Sequence, residues 1–400
     1  MPIPDINDLN LGNVFCGAGP EFENSIARSC ANAVLVEFTH ALSVAILKNK
    51  DARQFPDVVT FGYFCRKANI KLVLQAMQNP ARRRGWGIVL HVAPSNIPVN
   101  FAFSFLMGFL TGNINYVRVP SVDAPQIDII VTAIDTLLNQ PSFASLAKRV
   151  KFFRCERDSP ALMDLVKICD GLVVWGGDTT VAKFQAQQKK TNVVELYFPD
   201  KASSLLIDAD ALIACDSDAL TTLSHDFFND TFLVDQNACS SPNVVYWLGN
   251  QEAIAQAQAK FWSRIDVLLQ GKILPQATMA IEKRLDLLRM TQSLERSVMV
   301  QKFSQDIWLF EDKELIGERL RFGNFLQIGL QDTSELAQYI RPNEQTLTYF
   351  GVPPMQVYET LLAHGCNLDR IVPVGQALAI GMHWDGKNML NMLSHEIEIA

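Results

Sequence analysis

The stretch DQNACSSPNVVYWLG, Asp235 to Gly249, sets one cysteine, Cys239, among small polar residues just ahead of an apolar run. A sulfur in such a loop is reachable by substrate. As a thiolate it attacks carbonyl carbon, provided donors await the oxygen that becomes negative. The same residue also fits a small buried hydrophobe at a strand entrance, and the pattern alone leaves both readings open. A second stretch, APSNIPVNFAFSFLMGFLTGN, brackets Ser95, Asn96 and Ile97 between Pro94 and Pro98. Two prolines stiffen such a loop, so the Asn96 amide either donates to an oxygen at the strand end or caps the helix that follows from Val99. In YVRVPS, Arg118 and Ser121 stand where a parallel sheet holds the ribose of a dinucleotide. A carboxylate there suits a free 2′-hydroxyl and an arginine suits a 2′-phosphate. No acid follows until Asp123, which favours the phosphorylated cofactor; the competing reading is a surface arginine beside a helix-capping serine. In VVWGGDTTV, Gly176 and Gly177 permit close approach of a diphosphate at a helix start, with Asp178 or Thr179 able to cap it. A plain tight turn is the alternative, and no GxGxxG occurs.

These loops need elements to aim them. The first 80 residues read as helical, with apolar residues at helical spacing in CANAVLVEFTHALSVAILKN and again in FGYFCRKANIKLVLQAM. Strand-like runs GIVLHVAP, INYVRVP, VKFFRC, GLVVWGG and NVVELYF then alternate with helical segments, the first of them Val99–Leu110. Such alternation predicts a parallel sheet covered on both faces, with ligands beyond the carboxyl ends of its strands. From Ser203 to about Val372 the alternation restarts, which predicts a second α/β domain holding the cysteine loop. The tail SHEIEIA alternates like an edge strand, either a lone edge or one paired with another subunit.

The chain has 400 residues, 48% of them hydrophobic, and a net charge of −7. Large buried cores follow, and nucleic acid is disfavoured as a main partner. The first twenty residues carry acids and no long apolar core, against a secretory leader. The longest apolar stretch, Ile97 to Leu110, is too short to span a bilayer. Eight cysteines are scattered without a CxxC pair or zinc-like histidine spacing. A reduced cytoplasmic protein without a structural metal is the expectation.

The stretches occur together and in order, preceded by RQFPDVVTFGYFCRKANI and followed by DRIVPVGQALAIGMHWDG. Together they resemble the LuxC-type acyl-CoA reductases (fatty acid reductases), a branch of the aldehyde dehydrogenase superfamily, over most of the chain. The resemblance implies an aldehyde dehydrogenase-like α/β fold of two Rossmann-like parallel-sheet domains with a helical N-terminal segment. Residues 1–202 would bind NADP, 203–372 would carry the cysteine, and 373–400 would form a return segment with a candidate oligomerisation strand. It implies Cys239 as the catalytic thiol and Asn96 as side-chain donor to the oxyanion, with the Cys239 N–H as second donor. Pro94, Ser95, Arg118, Ser121, Gly176 and Gly177 would meet the cofactor. Many relatives carry lysine where Arg118 stands, and NAD-preferring ones often glutamate at Ser121. Glu195 lies near the family glutamate that activates a deacylating water, but VVELYFPDKASS lacks the two glycines that follow it there. A catalytic base and a structural acid both remain open. The implied activity is NADPH-dependent reduction of an acyl-CoA to the aldehyde through an acyl-cysteine. The alternatives are an oxidative or CoA-acylating aldehyde dehydrogenase, and a non-catalytic acyl-binding subunit. An acyl-activating synthetase or acyl transferase, and a second copy of the chain, are the implied partners.

Overall fold

The computed structural model describes residues 9–17, 30, 32–270, 277–295, 297–318 and 320–399. The reading of the first twenty residues as leaderless falls largely outside them. The chain divides into two compact units, Met1–Pro199 with Ile380–Ala400, and Asp200–Ala379. The boundaries expected from the sequence were 202 and 372.

In the first unit, strands β1 (Asn13–Cys16), β2 (Arg83–Gly85), β3 (Ile88–Val92), β4 (Ile114–Arg118), β5 (Val150–Arg154), β6 (Gly171–Trp175) and β7 (Val194–Phe198) are laid down in chain order. Six of them form one sheet in the order β1-β5-β4-β3-β6-β7. All its pairs are parallel except β1 with β5. That antiparallel edge was not anticipated, because NVFC is too short to show alternation. From β3 the chain winds outward first to one side and then to the other, so the order reverses between β3 and β6. A crevice opens beyond the strand ends at such a point.

Every residue of the helix Asn100–Leu110 is buried. Its sequence is apolar around the full circumference, as a helix sandwiched between layers must be. Phe101 and Phe105 meet Phe152 of the sheet edge-on, and Phe103 meets Phe61 and Phe64 of the N-terminal helices. The second N-terminal helical segment is two helices, Pro56–Phe64 and Lys67–Gln75, because Arg66 is extended between them. The C-terminal strand, Ser394–Glu396, pairs antiparallel with β2 in the same unit. Buried Arg83 fastens it, donating to Ser394 Oγ at 2.9 Å and to the carbonyls of Asn391 and Ser394.

The second unit holds β8 (Ala202–Asp208), β9 (Val244–Leu248), β10 (Gln301–Lys302), β11 (Trp308–Phe310), β12 (Asn324–Leu330), β13 (Glu344–Phe350) and β14 (Arg370–Pro373). Their order is β10-β11-β12-β9-β8-β13-β14, parallel apart from β10. The helical run after β8 breaks into Ala209–Ala214 and Ser217–Asp230, since Asp216 caps a new helix by accepting from Ala219 N at 2.8 Å. In the core, Gln327 Oε1 accepts from both Trp247 and Trp262 indoles, so a buried amide is satisfied by two buried N–H groups. No helix among the described residues is long and apolar enough to cross a membrane.

One buried polar chain ties the layers of the first unit together. Trp175 Nε1 donates to Ser104 Oγ, and His91 bonds Ser104 through Nδ1 and Asn115 Oδ1 through Nε2. Asn115 Nδ2 donates to Asn113 O, so its oxygen is the acceptor and His91 carries its proton on Nε2. Burial pushes the His91 pKa down from 6.5 to about 4. An unfolded chain takes up that proton near pH 6.5 and the folded one only near 4. Stability is therefore full above this window and falls as pH drops through it, by roughly 3 kcal/mol for this one group. Urea unfolding of wild type and His91→Gln between pH 7 and 4.5 should show the variant's profile flatter by that order; parallel profiles would contradict the assignment.

Candidate active site

The loop after β3, the end of β4 and the turn after β6 all lie at the carboxyl ends of the first unit's parallel strands. Pro94, Ser95, Asn96, Arg118, Ser121, Gly176 and Gly177 are thus brought to one edge of one sheet. Pro94 is buried, Ser95 half-buried and Asn96 exposed. The helix Asn100–Leu110 is capped at Val99 without a side-chain hydrogen bond, so Asn96 is not its cap.

Arg118 is not a surface arginine. It is fully buried; Nε donates to Cys155 O at 2.9 Å and Nη2 to Ser121 Oγ at 2.7 Å. Its Nη1 is buried with no hydrogen-bond partner. Ser121 does not cap the next helix, whose N-cap is Ala124. Burial lowers the Arg118 pKa, and the neighbouring charge of Arg157 acts the same way. Arg157 in turn donates to Thr180 Oγ1 at 3.2 Å, in the first turn of the helix Asp178–Gln185. Sequence reasoning missed Arg157. The available signal was its place just past VKFFRC, a third strand ending at the same edge.

Gly177, rather than Asp178 or Thr179, is the N-cap of that helix, and the cap makes no side-chain hydrogen bond. A Cβ on Gly176 would stand 3.1 Å from Thr180 Cβ, a tight contact for which Thr180 would have to give way slightly. A helix start and an arginine with an unsatisfied N–H are anion-binding features. The residues present fit a dinucleotide cofactor.

Glu195 is placed differently. It is level with Leu172 near the amino end of β7, whereas Trp175, just before the Gly-Gly turn, is level with Phe198. It accepts from the Tyr197 hydroxyl and pairs with Lys189 Nζ at 3.1 Å.

Cys239 belongs to the second unit, in the loop leading into β9. Two consecutive residues, Asp235 and Gln236, have positive φ (52° and 53°) and turn the chain sharply there. Buried Gln236 holds the loop: it accepts from Gly323 N at 2.6 Å and donates to Pro242 O and Asn324 O. Ser203 Oγ donates to the Cys239 carbonyl at 2.7 Å. Gln345 Nε2 donates to Cys239 Sγ at 3.2 Å. Cys239 is half-buried. Buried Cys16, Cys30, Cys65 and Cys169 contrast with it, each thiol raised by burial, to about 12, about 11, well above its ordinary value and to about 12 respectively.

The quoted segment DRIVPVGQALAIG is clasped beside this loop. Asp230, raised to about 6 by burial, accepts from Gly375 N at 2.6 Å and Ala377 N at 2.9 Å. Arg370 donates to the carbonyls of Ala377 and Gln376. Asp230 and Gln345 carried no motif in the sequence, and Ser203 and Arg370 lay in quoted stretches without being singled out. Among the described residues no cluster of His, Cys, Asp and Glu could hold a metal ion.

The family model described as acyl-CoA reductase (LuxC) matches residues 75–396. A long-chain acyl-protein thioester reductase of Photorhabdus laumondii is 24% identical over 321 residues, 78% of this chain and 64% of that protein. The protein of the same name from Vibrio harveyi is 26% identical over 166 residues, 41% of this chain and 33% of that one. The chain thus spans less than two thirds of the length of either relative. Among solved structures, a NAD-dependent benzaldehyde dehydrogenase from Corynebacterium glutamicum superposes with a TM-score of 0.62 at 10% identity, covering 92% of this chain and 85% of that one. The fold is that of the aldehyde dehydrogenases, and the chain belongs to the acyl-CoA reductase (LuxC) family.

Proposed function

We propose that this chain reduces a fatty acyl thioester, acyl-CoA, to the aldehyde at the expense of NADPH, through an acyl-cysteine on Cys239. The observation that carries this reading is the half-buried Cys239, its sulfur held by an amide donor, in a chain of the acyl-CoA reductase family. The balance is acyl-CoA, NADPH and a proton giving aldehyde, coenzyme A and NADP⁺.

The Cys239 thiolate adds to the thioester carbonyl. The resulting oxyanion is met by the Cys239 backbone N–H, a donor of a kind that contributes roughly 3–4 kcal/mol. Collapse breaks the bond to the coenzyme A sulfur, which leaves and takes a proton, and the acyl group stays on Cys239. The chemistry NADPH supplies when bound is hydride donation to an acyl carbonyl. Cys239 is then the leaving group as aldehyde is released. Arg118 and Arg157, with Ser121 beside them, are the residues that would hold the 2′-phosphate. The Gly176–Gly177 turn would receive the diphosphate, with Pro94 and Ser95 on the cofactor side of the β3 loop. Hydride rather than water discharges the acyl group, so no water-activating base is needed, and Glu195 is read as a structural acid. An acyl-activating synthetase or acyl transferase is the class of partner that would supply the thioester.

Cys239→Ala should lower aldehyde formation by about a thousandfold or more while NADPH affinity, read by fluorescence titration, stays near that of wild type. Full turnover by this variant would remove Cys239 from the reaction. Steady-state kinetics should show a higher kcat/KM with NADPH than with NADH. Ser121→Glu, which brings a carboxylate to the Arg118 guanidinium, should cut kcat/KM for NADPH about tenfold or more and spare NADH. An NADH preference in wild type would contradict the assignment of Arg118 and Ser121.

A further inference from the structure

Strand β13 carries a defect at one position. Glu344 pairs with Ala202 and Thr346 with Ser203, so Gln345 is one extra residue with no partner on β8. Such a bulge re-aims the side chain of the inserted residue. Here the redirected group is the Gln345 amide, nine-tenths buried, whose Nε2 reaches Cys239 Sγ at 3.2 Å. Its orientation is fixed from the other side, because Thr346 Oγ1 donates to Gln345 Oε1 at 3.4 Å and so leaves nitrogen facing the sulfur. Ser203, opposite the bulge, works on the same loop. Its hydroxyl donates to the Cys239 carbonyl and accepts from Thr346 N at 3.2 Å. One irregularity in a strand pair therefore fixes both ends of the cysteine. Next along the sheet, Arg370 pairs with Thr346 across β14. Its guanidinium is pinned on Gln376 O and Ala377 O and lies within electrostatic range of Cys239.

We propose that Gln345 is the residue that prepares Cys239 as a nucleophile: the bulge in β13 aims its Nε2–H at the sulfur to hold the thiolate in place, and the fixed charge of Arg370 supports it. The proposal deepens the acyl-cysteine reading and rests on it. A thiolate accepts hydrogen bonds far more strongly than a thiol, so a fixed donor favours ionisation. The same contact points the sulfur in one direction before substrate arrives. In the reaction no bond to Gln345 forms or breaks; its N–H stays on nitrogen throughout, and the electron pair on sulfur is what it stabilises until that pair attacks the carbonyl.

The test is the pH dependence of iodoacetamide alkylation at the Cys239 peptide, followed by mass spectrometry so that the other seven cysteines do not interfere. Gln345→Leu removes the donor at similar size, and Gln345→Glu replaces it with a carboxylate. Both should move the alkylation midpoint upward, by about one unit or more for the leucine variant, which means roughly tenfold slower labelling near neutral pH. The glutamate variant should shift further. Aldehyde formation should fall in parallel at neutral pH and recover toward wild type in the leucine variant above the new midpoint. A structural defect would lower activity at every pH without moving the midpoint, and circular dichroism melts identify a variant that has not folded. If Gln345→Leu is folded and its midpoint equals that of wild type, the proposal is overturned. If the midpoints shift but wild type forms no aldehyde from acyl-CoA, the assignment of Gln345 stands and the reductase reading fails.

Discussion

The hydrogen bond from the Gln345 amide to the Cys239 sulfur depends on a register error that the second unit keeps. Were β13 regular against β8, residue 345 would alternate with its neighbours and face one side of the sheet. The inserted residue points instead past the strand end, toward the loop entering β9. The loop is itself held by Gln236, whose amide spends its hydrogen-bonding capacity on the backbone of residues 242, 323 and 324. Two buried glutamine side chains thus do for this loop what disulfides or metals do elsewhere. Each substitutes directed hydrogen bonds for regular secondary structure.

The first unit solves a different problem with parallel strands. Anionic ligands need donors at the carboxyl edge of the sheet, but a buried arginine without a partner is costly. Arg118 meets that cost in part through Cys155 O and Ser121 Oγ, while its Nη1 stays buried without a hydrogen-bond partner. The His91–Ser104–Trp175 chain fixes the strand that leads into Gly176, so that turn is anchored from within the core. Binding power at the edge is drawn from order in the interior.

Much of this was legible in the sequence. The βα alternation was plain because parallel strands buried on both faces read as short apolar runs such as GLVVW and VVYWL. The Gly-Gly turn, the proline-braced Asn96 loop and Arg118 followed, since each sits at the end of such a run. The rest was hidden for physical reasons. Strand β13, EQTLTYF, opens with Glu, Gln and Thr, polar residues that mask the strand. The neighbours of Cys239 come from residues 203, 345 and 370, far apart in the chain, and only the fold brings them near. Bulges leave no periodic mark at all. Helix caps were also misjudged: Gly177 and Val99 take positions that Asp178, Thr179 and Asn96 could have filled, because tertiary packing rather than side-chain preference sets those helix starts.

The central claim is that Cys239 carries the acyl group. Mixing the protein with acyl-CoA in the absence of NADPH, then recording intact mass and the mass of the Cys239 peptide, tests it most directly. The account predicts one acyl adduct per chain, located on Cys239, removed by hydroxylamine and matched by an equal release of coenzyme A. An unmodified Cys239 under conditions where NADPH-dependent aldehyde formation proceeds at full rate would contradict it.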